Sequence, residues 1–195
     1  MSIAAHQIAI ALASFTFCAA LGVGNAGSVR VGWAIGARDR AAVRRAGLVA
    51  FATGVSIMGV AALSFWLLPT QLALLLSDSP DVIAASVPLL AVAAVFQISD
   101  GIQGVGAGVL RGAGDTKFAF FANLVGHYAI GLPVAVTLGV FWGHGVIGLW
   151  WGLCAGLTAV ALALLSRFLH LSSREILPLE GHPPQAVTSP PAATS

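Results

Sequence analysis

From Phe118 to Ser166 the chain contains no Asp, Glu, Lys or Arg. About 20 apolar residues suffice to carry a helix across a bilayer. This stretch is too long for one crossing and too apolar for water. It must fold back on itself, and Gly143-His144-Gly145 is where its apolar pattern breaks. Two spans follow, at about 118–140 and 146–168. Three more apolar runs precede them, at about 3–31, 46–68 and 82–110. The expected fold class is an all-α integral membrane protein whose five transmembrane helices form one segment, 3–168. The remainder, 169–195, is rich in Pro, Ser and Ala without apolar periodicity, and is expected to be a disordered cytoplasmic tail.

Composition agrees. The chain is 58% hydrophobic and 8% charged, against roughly 25% charged in soluble domains. A net charge of +2, with the basic residues in short connections, offers no basic face for nucleic acid. Cys18 and Cys154 lie inside apolar runs, and two isolated thiols make neither a disulfide nor a metal site. No Lys or Arg precedes the first run, so it reads as a retained helix rather than a secretory signal. There is no nucleophile–base pair, metal cluster or paired carboxylate to suggest an enzyme or a cofactor.

Basic residues accumulate in cytoplasmic connections. Arg30, Arg38, Arg40, Arg44 and Arg45 surround the first connection, Arg111 and Lys117 the third, and Arg167 and Arg174 follow the last span. The segment 69–81 has two Asp and no basic residue. The expected topology in the cell membrane (the inner membrane of a Gram-negative cell) is N-terminus outside and C-terminus cytoplasmic. Five spans starting from outside suggest part of something larger.

Asp100 is the one acid deep within an apolar run. It lies about 16 Å along the helix from Arg111, at 1.5 Å per residue. A charge there costs several kcal/mol, so such residues usually serve an ion, a proton or a partner. Phe96, Gln97, Asp100, Gln103 and Gly104 share one face. One reading is a cation or proton site in an aqueous cavity, with Gln97 and Gln103 orienting the carboxylate. The other is a structural carboxyl group hydrogen-bonded to a second helix. His127, with Tyr128 beside it, and Gln7, next to His6, could line a substrate cavity or be satisfied within helix interfaces. Gly104 with Gly108, and Gly148, Gly152 and Gly156, have the four-residue spacing that lets helices approach closely in lipid. Arg111, Gly112, Gly114 and Asp115 read as a tight cytoplasmic turn. Pro133 is expected to kink its helix. Trp33, Trp66, Trp142, Trp150 and Trp151 fall near span ends, which suits an interfacial belt.

Several stretches occur in a telling order: Ala5-His6-Gln7-Ile8-Ala9, Ser28-Val29-Arg30-Val31-Gly32, Leu110-Arg111-Gly112-Ala113-Gly114-Asp115-Thr116, Ile130-Gly131-Leu132-Pro133 and Gly148-Leu149-Trp150-Trp151-Gly152. Together they resemble the C-terminal lobe of the multidrug and toxic compound extrusion (MATE) transporters, over about 3–168. The resemblance implies twelve helices in two six-helix lobes around a cavity, and antiport of organic cations or drugs against Na⁺ or H⁺. In the NorM-like branch an acid on the tenth helix contributes to the cation site, and Asp100 occupies that position, so a Na⁺ would bind there. That branch has Tyr four residues earlier; this chain has Phe96, without the hydroxyl. The five spans match helices eight to twelve. A partner polypeptide is therefore expected to supply the earlier helices, including an acid on the seventh. The alternatives are a membrane interaction protein, an inert remnant, or a small transporter assembled from copies.

Overall fold

The computed structural model describes residues 2–173, and the regular elements among them are helices. α1 (Ser2–Gly36) and α2 (Arg40–Leu67) are followed by a short helix, α3 (Pro69–Leu74). α4 (Pro80–Gly112), α5 (Thr116–Phe141) and α6 (Gly145–Ser173) complete the order. All but α3 are long and apolar enough to cross a membrane.

The helices overrun the apolar runs. α2 starts at Arg40 because Asp39 caps it: the Ala42 N–H donates to Asp39 Oδ1 at 2.9 Å. Arginine is a good helix former, so the helix continues past the hydrocarbon. α6 reaches Ser173, so 169–173 belong to the last helix and not to a tail. Residues 174–195 lie outside the described part.

α4 is the hub, packed against α1, α2 and α6. Its core divides in two. One apolar cluster, around Leu89, Leu90, Ala93, Phe65 and Trp150, fills one end. Another, around Val105, Val109, Leu110, Leu164 and Phe168, fills the other. The turn carrying Gln97, Ser99, Asp100 and Gly101 is buried between them. Outward faces are apolar, with Phe15, Val60, Phe120 and Phe141 exposed, as lipid requires. Trp33, Trp66, Trp142 and Trp151 are exposed too. Trp150 departs from the belt expectation: at 2% exposure it is a core residue, and its Nε1–H donates to His6 Nδ1 at 3.2 Å.

Small residues set the spacing. A Cβ on Gly108 would sit 2.3 Å from the Gly24 carbonyl oxygen, and one on Gly112 2.2 Å from that of Ser28, so α1 and α4 meet backbone to backbone. α5 and α6 form an antiparallel ladder: Gly156 against Gly131, Gly152 against Ala135 and Gly148 against Gly139. α5 is also widened into π turns at Gly126–Gly131 and Thr137–Phe141. Pro133 has no N–H, and its ring presses on the preceding turn. The wider turn upstream gives that ring room. α4 continues through Pro88 without a break.

The two Arg-bearing connections are built alike. After α1, Asp39 N–H donates to Ala34 O and Arg38 N–H to Ile35 O. After α4, Asp115 N–H donates to Leu110 O and Gly114 N–H to Arg111 O. These are Schellman turns, which need a left-handed residue. Gly114 (φ 79°) supplies it in one and Arg38 (φ 58°) in the other.

Candidate functional site

The turn of α4 around Asp100 touches all four other long helices. The Gln97 Nε2–H donates to Thr16 Oγ1 of α1 at 2.5 Å. A Cβ on Gly101 would meet Met58 of α2. Ser99 and Thr158 of α6 share a hydroxyl hydrogen bond of 2.8 Å. Gln103 Nε2 donates to Asn123 Oδ1 of α5 at 2.8 Å. Each polar neighbour of Asp100 is therefore tied to a different helix, and the amides on either side are held in place.

Asp100 itself is 8% exposed. It makes no side-chain hydrogen bond or ion pair among the described residues; the one ion pair there joins Arg167 to Asp115. On the helix, Asp100 points between Gln97 and Gln103, which lie about 60° to either side at 100° per residue. It thus faces the seam between α1 and α5, two helices that make at most marginal contact. Beside it, Gln97 is fully buried and its Oε1 has no partner. A buried acceptor left unpaired costs about 1–3 kcal/mol. This layer of α4 therefore holds two kinds of oxygen acceptor, a carboxyl group at the seam and, one helical turn away, a fully buried amide carbonyl. That set suits a proton or a hard cation. Phe96 adds no oxygen; its ring packs edge-on against Trp150 at 5.6 Å.

The other candidates lie elsewhere. Gln7 is exposed, nine residues or about 14 Å along α1 from Thr16. His127 Nδ1 bonds the Asn123 carbonyl at 2.9 Å. With Tyr128, Gly131, Leu132, Ala135 and Leu153 it lines a separate groove of about 360 Å³ between α5 and α6. Gln7, Phe96, His127 and Tyr128 do not converge on one cavity. Gly104, beside Asp100, lies against Phe17 and lets α1 come close.

Asp115 stands at the start of α5 but makes no side-chain cap there. Its Oδ2 accepts from Arg167 Nε of α6 at 2.7 Å, and that guanidinium lies over the Phe118 ring at 5.0 Å. The carboxylate is thus occupied in holding α6 to the α4–α5 turn. Arg111 is exposed, reaching Asn25 Oδ1 at 3.5 Å.

Thr16, Asn123 and Thr158 are site residues that the sequence pattern does not single out. Asn123 had a signal: a lone amide in a charge-free span is open to the same desolvation argument as Asp100. Thr16 and Thr158 had none, since each hydroxyl can bond its own helix.

The family profile described as MatE matches residues 1–137. The chain belongs to the MatE family. It is 44% identical over 181 residues to the multidrug resistance protein NorM of Burkholderia vietnamiensis, covering 90% of this chain and 39% of that protein. It is 43% identical over 173 residues to a probable NorM of Mesorhizobium japonicum, covering 86% and 37%. The MatE chain thus spans well under half the length of these relatives. Among solved structures, the eukaryotic MATE transporter AtDTX14 superposes with a TM-score of 0.81 at 21% identity, over 86% of this chain and 38% of that one. An inward-facing MATE multidrug resistance transporter superposes with 0.75 at 18% identity. These likenesses give the fold: an all-α, multi-pass membrane segment of MATE type. The NorM relatives are named for multidrug resistance.

Proposed function

We propose that this chain provides the coupling-ion site of a cation-driven multidrug efflux antiporter, with Asp100 binding Na⁺ or H⁺. The carrying observation is a carboxyl group buried at mid-depth, unpaired among the described residues, and facing a seam, with the orphaned Gln97 oxygen one helical turn away. Ion binding there would favour one arrangement of the helices and release would favour another, the differential affinity that a coupled switch needs. Gln97 holds α1 through Thr16 and Gln103 holds α5 through Asn123. A charge change at Asp100 therefore acts on both edges of the seam. In a transporter as long as the relatives, further helices would fill the seam and bring a second acid towards Asp100. Drug export is accordingly a property of that longer assembly, with this segment's Arg-bearing connections in the cytoplasm.

The test is a chimera in which these residues replace the matching stretch of the Burkholderia vietnamiensis NorM. Reconstituted in vesicles, it should export ethidium under an imposed Na⁺ or proton gradient, while the 195-residue chain alone should not. Gradient-driven export by the chain alone would show that it builds a full pathway by itself, for example from several copies. A correctly inserted chimera that exports nothing under either gradient would contradict the proposal.

A further inference from the structure

A groove outside the site above has no role in it. It lies between α1 and α2 at their Arg-bearing ends, measures about 680 Å³, and opens on the surface of the bundle. Val23, Gly27, Val49 and Ala50 form an apolar floor, Trp33 stands at one edge, and Arg30 and Arg45 complete the wall. Trp33 is 69% exposed. Neither arginine has a hydrogen bond or ion pair among the described residues. The acid at this end of the α1–α2 pair is Asp39, whose Oδ1 is engaged by the cap of α2. Both arginines sit inside their helices, about 7–9 Å from the ends at 1.5 Å per residue. That is the depth at which a guanidinium must reach outwards to find headgroups.

We infer that this groove is a binding site for an anionic phospholipid, with the headgroup phosphate between Arg30 and Arg45 and an acyl chain along the apolar floor. The charge is complementary: two planar guanidinium forks can each donate two hydrogen bonds to phosphate oxygens. The shape fits as well, since the apolar part continues from the charged end towards the bilayer interior and Trp33 flanks the junction. Basic pockets between transmembrane helices on the cytoplasmic side commonly hold anionic headgroups. The assignment depends on the charge-derived orientation but not on the role of Asp100. An anionic lipid seated here would bridge α1 and α2 and screen the repulsion among Arg30, Arg44 and Arg45.

The test uses the full chain in phosphatidylcholine nanodiscs doped with brominated phosphatidylglycerol or brominated phosphatidylcholine. Quenching of Trp33 is isolated by subtracting the signal of a Trp33→Phe variant. The expected result is that the anionic lipid quenches Trp33 at a mole fraction lower by roughly tenfold. Arg30→Gln with Arg45→Gln should abolish that preference, while Arg38→Gln with Arg44→Gln, outside the groove, should keep it. If the double groove variant fails to insert, the single variants give the same reading, each losing part of the preference. Equal quenching by the two lipids overturns the site. So does equal loss in both double variants, which would mean diffuse surface attraction, or an unquenched Trp33, which would mean that protein covers the groove.

Discussion

Asp100 and Asp115 belong to the same hairpin of helices, yet their surroundings are opposite. Asp115 sits at the end of the bundle, within 2.7 Å of Arg167, beside a turn that a glycine closes. Asp100 sits between the two halves of the core, without an ion pair, among residues hydrogen-bonded to three other helices and packed against a fourth. The first carboxylate is accounted for by what it holds together. The second makes no side-chain hydrogen bond or ion pair among the described residues that would account for the cost of a carboxyl group in a membrane. The unpaired Gln97 oxygen strengthens the contrast, because two unsatisfied acceptors share one buried layer.

The contrast depends on the helices staying at their present distances, so the largest stability effect should come from the small residues. Gly108→Leu would drive a side chain into the Gly24 backbone and part α1 from α4. Gly152→Leu would do the same against Ala135. Each should lower stability by about 3 kcal/mol or more, beyond ordinary overpacking, read as thermal unfolding in detergent. Gly36→Ala, with nothing within 4 Å of the new Cβ, should leave it unchanged. Equal effects at Gly108 and Gly36 would mean that α1 and α4 are not in close contact.

Arg167→Gln comes next. It removes a partly exposed ion pair and a cation–π contact, together about 1–2 kcal/mol. It should loosen the α6 end without changing ion coupling, because the Asp100 layer keeps all its bonds. A loss of coupling would erase the distinction between the two carboxylates.

Asp100→Asn should cost no stability and can only raise it, since no partner is abandoned and a group costly in lipid is removed. A large destabilisation would mean that the carboxyl group is structural after all. The smallest effect is expected at Arg38→Gly, which removes a side chain from a left-handed position. It should raise stability by about 1 kcal/mol or less, detectable as a small upward shift in the midpoint of thermal unfolding.

Much of the frame could be read along the sequence. The charge-free stretch up to Ser166 required two spans, Gly143 marked their turn, and Asp100 stood out by its cost in lipid. What could not be read were pairings between distant residues. Nothing in α1 marks Thr16 as the partner of Gln97, and nothing near Asp115 names Arg167, because such pairs exist only once helices are placed side by side. The place of Trp150 is hidden for the same reason. Its position near a span end suits the interface, but packing against His6 and Phe96 takes it into the core. The π turns of α5 were beyond reach too: Pro133 announces a disturbance, and the structure resolves it by widening the helix upstream.

The most direct test of Asp100 as the coupling site is gradient dependence, measured side by side in the NorM chimera and its Asp100→Asn variant. The quantity is ethidium export with the ion gradient divided by export without it. The account predicts that the ratio falls to about one in the variant while ethidium binding persists, a loss of about tenfold or more, within the usual range of coupling free energies. An unchanged ratio in a folded, inserted variant would contradict it.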